Sequence, residues 1–153
     1  MVTASLKELL FFPTDGARVD SLTDPRPADP EHFGFHMQAL IGSDDSPLAD
    51  SFDATICSPS WLTLMLQDDS WGSAWWGQPP ESVRVPRLWI VRRWDLGEID
   101  AAVRELCDEC SPGPDWGTVA DRIARTLPWE YDYRYDEHVN RRYGDPFPSR
   151  ENA

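Results

Sequence analysis

Cys107 and Cys110 form a Cys-x-x-Cys pair, a spacing that suits metal binding or disulfide cycling. The surroundings support neither use. A structural zinc needs four ligands, and no second Cys or His pair has ligand spacing. A redox pair belongs at a helix N-terminus, where the dipole favours the thiolate. These two cysteines fall near a helix C-terminus on its apolar face, so packing accounts for them. His32, His36 and His138 make no metal motif of the H-E-x-x-H kind with each other or with a carboxylate. Nothing local supports Cys57 and His36 as nucleophile and base. The sequence has no Gly-rich phosphate loop, no G-x-S-x-G elbow and no EF-hand ligand series. Asp44-Asp45 and Asp68-Asp69 offer oxygen donors for a divalent cation, but adjacent aspartates in loops read first as solvated turns. The expectation is a protein without catalytic residues, metal or cofactor.

Recognition is better supplied than catalysis. Trp71, Trp75 and Trp76 cluster between Asp69 and Glu81 in a stretch rich in chain breakers. Trp is a common interface anchor, and these rings serve either as anchors or as caps on the sheet or a neighbouring helix. The net charge is −13. That argues against direct nucleic-acid binding, which needs a basic stripe, and against attraction to anionic membranes. It fits either plain solubility or a basic partner. Between Arg26 and Arg84 there is no Lys or Arg, while the carboxylates include Asp29, Glu31, Asp44, Asp45, Asp50, Asp53, Asp68, Asp69 and Glu81. The partner-binding candidates are therefore Asp44, Asp45, Asp50, Asp53, Asp68, Asp69, Trp71, Trp75 and Trp76.

The elements that must position these residues follow from periodicity. A chain of 153 residues fits one domain with a real core, and eight Trp, six Phe and four Tyr supply apolar area that disordered chains lack. Residues 5–12 read as an edge strand fading at Pro13, and 14–30 as a loop. Phe33, Phe35, Met37, Ala39 and Ile41 alternate strictly, as do Phe52, Ala54 and Ile56 after a turn over 42–47, predicting an antiparallel hairpin. In that hairpin His36 and Gln38 share the outward face, beside Asp53 or Thr55, reading first as the wet face of a half-buried sheet. Ser58-Pro59 starts a helix with Trp61, Leu62, Met65 and Leu66 on its apolar face. Residues 69–86 read as a long loop and 87–94 as a strand.

Asp95 with Glu98 suggests a capping box ahead of Ile99, Ala102, Val103, Leu106, Cys107 and Cys110, with Gly113 as the stop. Asp115 caps a second helix bearing Trp116, Val119, Ala120, Ile123, Ala124 and Leu127, ended by Pro128. Trp129, Tyr131, Tyr133 and Tyr135 alternate with polar residues in a final strand. Together these predict a single layered α+β domain over 1–143, with a largely antiparallel sheet of about four to five strands and three helices. Residues 144–153 read as a disordered tail. No stretch approaches a membrane span and the start lacks a signal-peptide pattern. An odd number of cysteines without framework spacing points to a reducing cytoplasm.

The runs Phe33-Gly34-Phe35-His36-Met37-Gln38-Ala39-Leu40-Ile41-Gly42 and Asp50-Ser51-Phe52-Asp53-Ala54-Thr55-Ile56-Cys57-Ser58-Pro59-Ser60-Trp61-Leu62 resemble the immunity protein 8 family. Leu88-Trp89-Ile90-Val91, Arg93-Trp94-Asp95, the helix ending at Cys110, the Trp116 helix and Trp129-Glu130 are similar too. The resemblance spans roughly residues 30–132, with its most specific part over 50–62. It implies a cytoplasmic bacterial protein that neutralises a cognate toxin by stoichiometric binding, with no catalytic residues to carry over. Phe52, Cys57, Pro59, Trp61 and Leu62 then read as structural. The target would be a basic toxin domain of, for example, nuclease type, met by the acidic and aromatic candidates above. The alternative is a small ligand-binding domain or enzyme with a pocket near the Trp-rich loop and His36.

Overall fold

Strict alternation in residues 33–57 places every second side chain on one side of a sheet. A computed structural model of the chain, describing residues 1–14, 17–67 and 88–131, shows that sheet and what covers it. Strand β1 runs Ala4–Pro13, β2 Gly34–Ser43, β3 Asp50–Cys57 and β4 Leu88–Ile90, in the order β1-β2-β3-β4. Helices α1 (Pro59–Gln67), α2 (Leu96–Glu109) and α3 (Trp116–Ala124) complete the described elements. The architecture is α+β, with a mixed open sheet. β1, β2 and β3 pair antiparallel, and β4 lies parallel to β3.

One face of the sheet carries the core. Phe35, Met37, Ala39 and Ile41 of β2 meet Phe52, Ala54 and Ile56 of β3 in one buried cluster. β1 joins through Leu6, Leu9 and Phe11, although Leu6 and Leu9 are three apart. A bulge between Leu6 and Glu8 resets the alternation so that both point inward. α2 and α3 close this face with Ile99, Val103, Leu106, Cys107, Val119, Ala120, Ile123 and Leu127. Both helices start as their sequences require. The Asp95 carboxylate accepts from the Glu98 N–H at 3.1 Å, and that of Asp115 from the Thr118 N–H at 2.7 Å. The second bond holds the Asp115 carboxyl below its ordinary pKa.

α1 belongs to the other face. Cys57 follows Ile56 and so points away from the main core, into a small cluster with Trp61 and Met65, flanked by Leu62 and Leu88. Trp61 lies directly over Gly34, where any Cβ would collide with its indole ring. Buried Phe52, Cys57 and Trp61 and half-buried Leu62 confirm the structural reading of those residues, and exposed Pro59 opens the helix.

The structure corrects several boundaries. Of the strand expected over 87–94, the described part is Leu88–Ile90: the Val91 N–H makes the last bond to β3, at Cys57 O, and the Trp94 N–H turns to Pro30 O. α2 ends at Glu109, capped by Cys110, ahead of Pro112 rather than at Gly113. α3 ends at Ala124, with Leu127 still buried through one further turn. Of the expected last strand, the described part pairs with β3. Trp129 bridges Phe52, Asp53 N–H donates to Pro128 O, and Glu130 N–H to Ser51 O. The loop expected over 69–86 lies outside the described residues, as do residues 132–153 with the expected tail.

Candidate functional site

The acidic candidates divide by what their carboxylates meet. Asp44 and Asp45 sit exposed on the β2–β3 turn, where Ser43 Oγ donates to Asp45. The same turn raises Leu48, 77% exposed, immediately after Pro47. Asp53 lies on the sheet face opposite the main core. It accepts from Ser51 Oγ at 3.2 Å, and its carboxylate is 3.6 Å from His36 Nε2. Of the two neighbours the alternation allowed His36, the ladder pairs it with Thr55, and it sets Gln38 opposite Asp53.

Asp50 is different. Its Oδ2 accepts from the indole N–H of Trp116 at 2.7 Å and from that of Trp129 at 2.9 Å. Phe52 lies between the same two rings, edge-on to Trp116 and stacked on Trp129. One carboxylate therefore ties β3 to α3 and to the segment after it. Asp68, Asp69, Trp71, Trp75 and Trp76 lie outside the described residues.

Other residues of the turn and outer face escaped the sequence reading. Leu48 had a usable signal, an apolar side chain in an otherwise polar turn. Leu10, Phe12 and Leu40 did not, since their apolar character merged with the inward-facing run.

A groove of about 600 Å³ opens between the 17–28 loop and α1, lined in part by Arg18, Arg26, His32, Trp61 and Met65. Two of its polar side chains, Arg26 and His32, are already engaged. Arg26 Nε donates to Asp24 at 2.9 Å. Ser60 Oγ donates to Glu31 O at 2.6 Å, so the 3.0 Å contact from His32 Nδ1 is a donation by the ring to Ser60. A serine nucleophile needs the reverse, with its proton directed at an acceptor imidazole. The pair instead fastens the Glu31–His32 segment to the start of α1.

The three cysteines are free and buried. Burial pushes the Cys57 thiol up to about 11. Burial does the same to Cys107, also to about 11, with Asp108 and Cys110 adding to it. Cys110 moves in the same direction, from burial first and then Glu109. All three thiols are thus protonated at neutral pH and unreactive. A disulfide reagent at pH 7.5 is expected to label none of them quickly in the folded chain and all after unfolding. Fast labelling of the native protein would contradict this. Among the described residues, no group of three His, Cys, Asp or Glu side chains is placed to hold a metal ion, and no helix is long and apolar enough to cross a membrane.

No curated protein and no solved structure matches this chain. The sequence model of immunity protein 8 matches residues 15–133. That match takes in β2, β3 and all three helices, including the Asp50 clamp and the Gly34–Trp61 contact. The chain belongs to the immunity protein 8 family, and is thereby an immunity protein directed against a toxin.

Proposed function

We propose that this protein neutralises its toxin by one-to-one binding that covers the toxin's working surface, with no chemistry of its own. The partner is a basic toxin domain, of the kind that handles nucleic acid, met in the cytoplasm. One observation carries the reading. The β2–β3 turn presents exposed Asp44 and Asp45 beside the protruding Leu48, within a stretch that has no Lys or Arg from Arg26 to Arg84. An apolar anchor ringed by carboxylates suits a basic surface with an apolar dimple, and the charges speed encounter.

Reversing both charges, Asp44→Lys with Asp45→Lys, is expected to slow association with the toxin about tenfold at low salt, leaving dissociation less affected. The advantage of the wild-type chain should shrink as ionic strength rises. Stopped-flow association rates across a salt series measure this. Rates indifferent to both the reversal and salt would remove the electrostatic part of the proposal.

The groove beside Trp61 favours a second reading, a small-ligand site. Native mass spectrometry of the purified chain distinguishes the two. A retained small molecule would support the groove, and a one-to-one complex with the toxin would support the inhibitor.

A further inference from the structure

The outer face of the sheet is a trough whose walls are permitted by two glycines. At one end of β2, Gly34 lets Trp61 of α1 lie against the strand. At the other, Gly42 lets the Leu48 carbonyl and Ala49 fold back over it, where a Cβ would strike that carbonyl. Between these walls the register sets three cross-strand rows. Phe12 pairs with His36 and Thr55, Leu10 with Gln38 and Asp53, and Glu8 with Leu40 and Ser51. Leu10, Phe12, Leu40, His36 and Gln38 are all half-exposed. The floor is thus a patchwork of apolar side chains around a central His36–Gln38–Asp53 group.

Part of the sheet's backbone beside this face is already engaged. On β1, the Ala4 N–H donates to Ser111 Oγ, the Phe11 N–H donates to Leu22 O, and the bulge interrupts the ladder between them. The outer edge of β3 is filled by Leu88–Ile90 along one half and by residues 128–130 along the other. Engaged or interrupted edges of this kind disfavour pairing with another chain, and the side chains of the face are what this side offers for recognition.

The charge of the trough names its occupant. β2, the turn, β3 and α1 contain no Lys or Arg, while Asp44 and Asp45 stand at the rim and Asp53 on the floor. β1 adds Glu8, and Lys7 turns its ammonium to Ser43 O at 3.0 Å. Resting on the immunity reading above, we propose that this trough is the toxin-docking surface. It receives a toxin segment that presents Arg or Lys beside an apolar side chain. The cation meets the carboxylates of the rim and floor, Asp44, Asp45 and Asp53, and the apolar group lies on Leu10, Phe12 and Leu40. Asp53 and the turn aspartates then belong to one continuous surface.

The test uses the full chain and the toxin domain recovered with it from its source cells. Gln38→Cys places one thiol at the centre of the trough, against a background of three buried thiols. A maleimide is expected to label it readily in the free chain and about tenfold more slowly in the complex, as a desolvated interface requires. Gln38→Arg should weaken toxin binding about thirtyfold, because a like charge is set against the incoming cation. Glu105→Gln makes the same change in net charge on the exposed side of α2, and should change affinity less than about twofold. A Gln38→Cys variant unreactive in the folded free chain would overturn the proposal, because the chain itself would then cover the trough. Labelling unaffected by bound toxin would overturn it too, while leaving the immunity reading intact. Failure of the unaltered chain to bind the toxin at all would instead remove the immunity reading.

Discussion

Asp50→Ala is expected to destabilise the protein by about 2–4 kcal/mol, lowering its unfolding midpoint by roughly 5–12 °C for a domain of this size. The cost has a specific source. Asp50 Oδ2 is the common acceptor for Trp116 and Trp129, and alanine leaves both indole N–H groups without it. Hydrogen bonds to a charged acceptor contribute more than neutral ones, and partly buried donors left unsatisfied add a desolvation cost. The two rings also hold Phe52, which is fully buried, through edge and stacking contacts. Loosening them loosens the centre of β3.

Asp50→Asn keeps an oxygen acceptor without the charge, so about half the loss is expected. Thermal unfolding followed by near-UV circular dichroism reads both, since packed indole rings contribute to that signal. An Asp50→Ala variant with an unchanged midpoint would show that the clamp carries no weight. The same experiment bears on recognition. With Oδ2 committed to the two indoles, Asp50 can act on a toxin only through Oδ1 and the general negative field. Its variants should therefore be compared with Asp44 and Asp45 variants well below their unfolding midpoints.

Gly34→Val should be comparably damaging, at about 3 kcal/mol. The position needs glycine because of a close approach. A Cβ there would fall inside normal contact distance of three atoms of the Trp61 indole. Trp61 is 6% exposed and held between Cys57 and Met65, so it cannot swing aside without lifting α1 from the sheet. Close-packed interiors transmit such strain instead of absorbing it. A double-mutant cycle separates this cause from a general loss of strand stability. Trp61→Ala alone costs about 3–5 kcal/mol as a cavity. Combined with Gly34→Val it should cost clearly less than the sum, because the added side chain occupies the vacated space. Additive losses would mean that the two residues do not meet. Since Trp61 is also one wall of the trough, the single variant should weaken toxin binding even where it remains folded.

Much of this was legible in the sequence because it depends on neighbours a few residues apart. Period-two alternation placed β2 and β3, put His36 and Gln38 on one face beside Asp53 or Thr55, and separated wet face from core, while the exact register came from the ladder. The 3.6-residue period identified α2 and α3, and Asp95 and Asp115 marked their starts, since a cap acts within three residues. The run from Asp50 to Leu62 was enough to suggest the family that the whole-chain match established.

What depended on distant partners was decided only by the tertiary structure. Asp50 read as one more surface carboxylate, because the indoles that claim it are 66 and 79 residues away. The bulge in β1 was hidden inside an apolar run, and it alone decides that Leu10 faces the trough while Leu9 enters the core. Leu88–Ile90 read as a strand in a largely antiparallel sheet, yet it joins β3 in parallel, since strand direction is set by where the connection returns. α1 shows the same limit. Its apolar face was plain in Trp61 and Met65, but whether that face met the main core or the outer sheet depended on Cys57 pointing outward and Gly34 leaving room. Periodicity tells a side chain whether to be buried; only the packing of the whole chain decides against what.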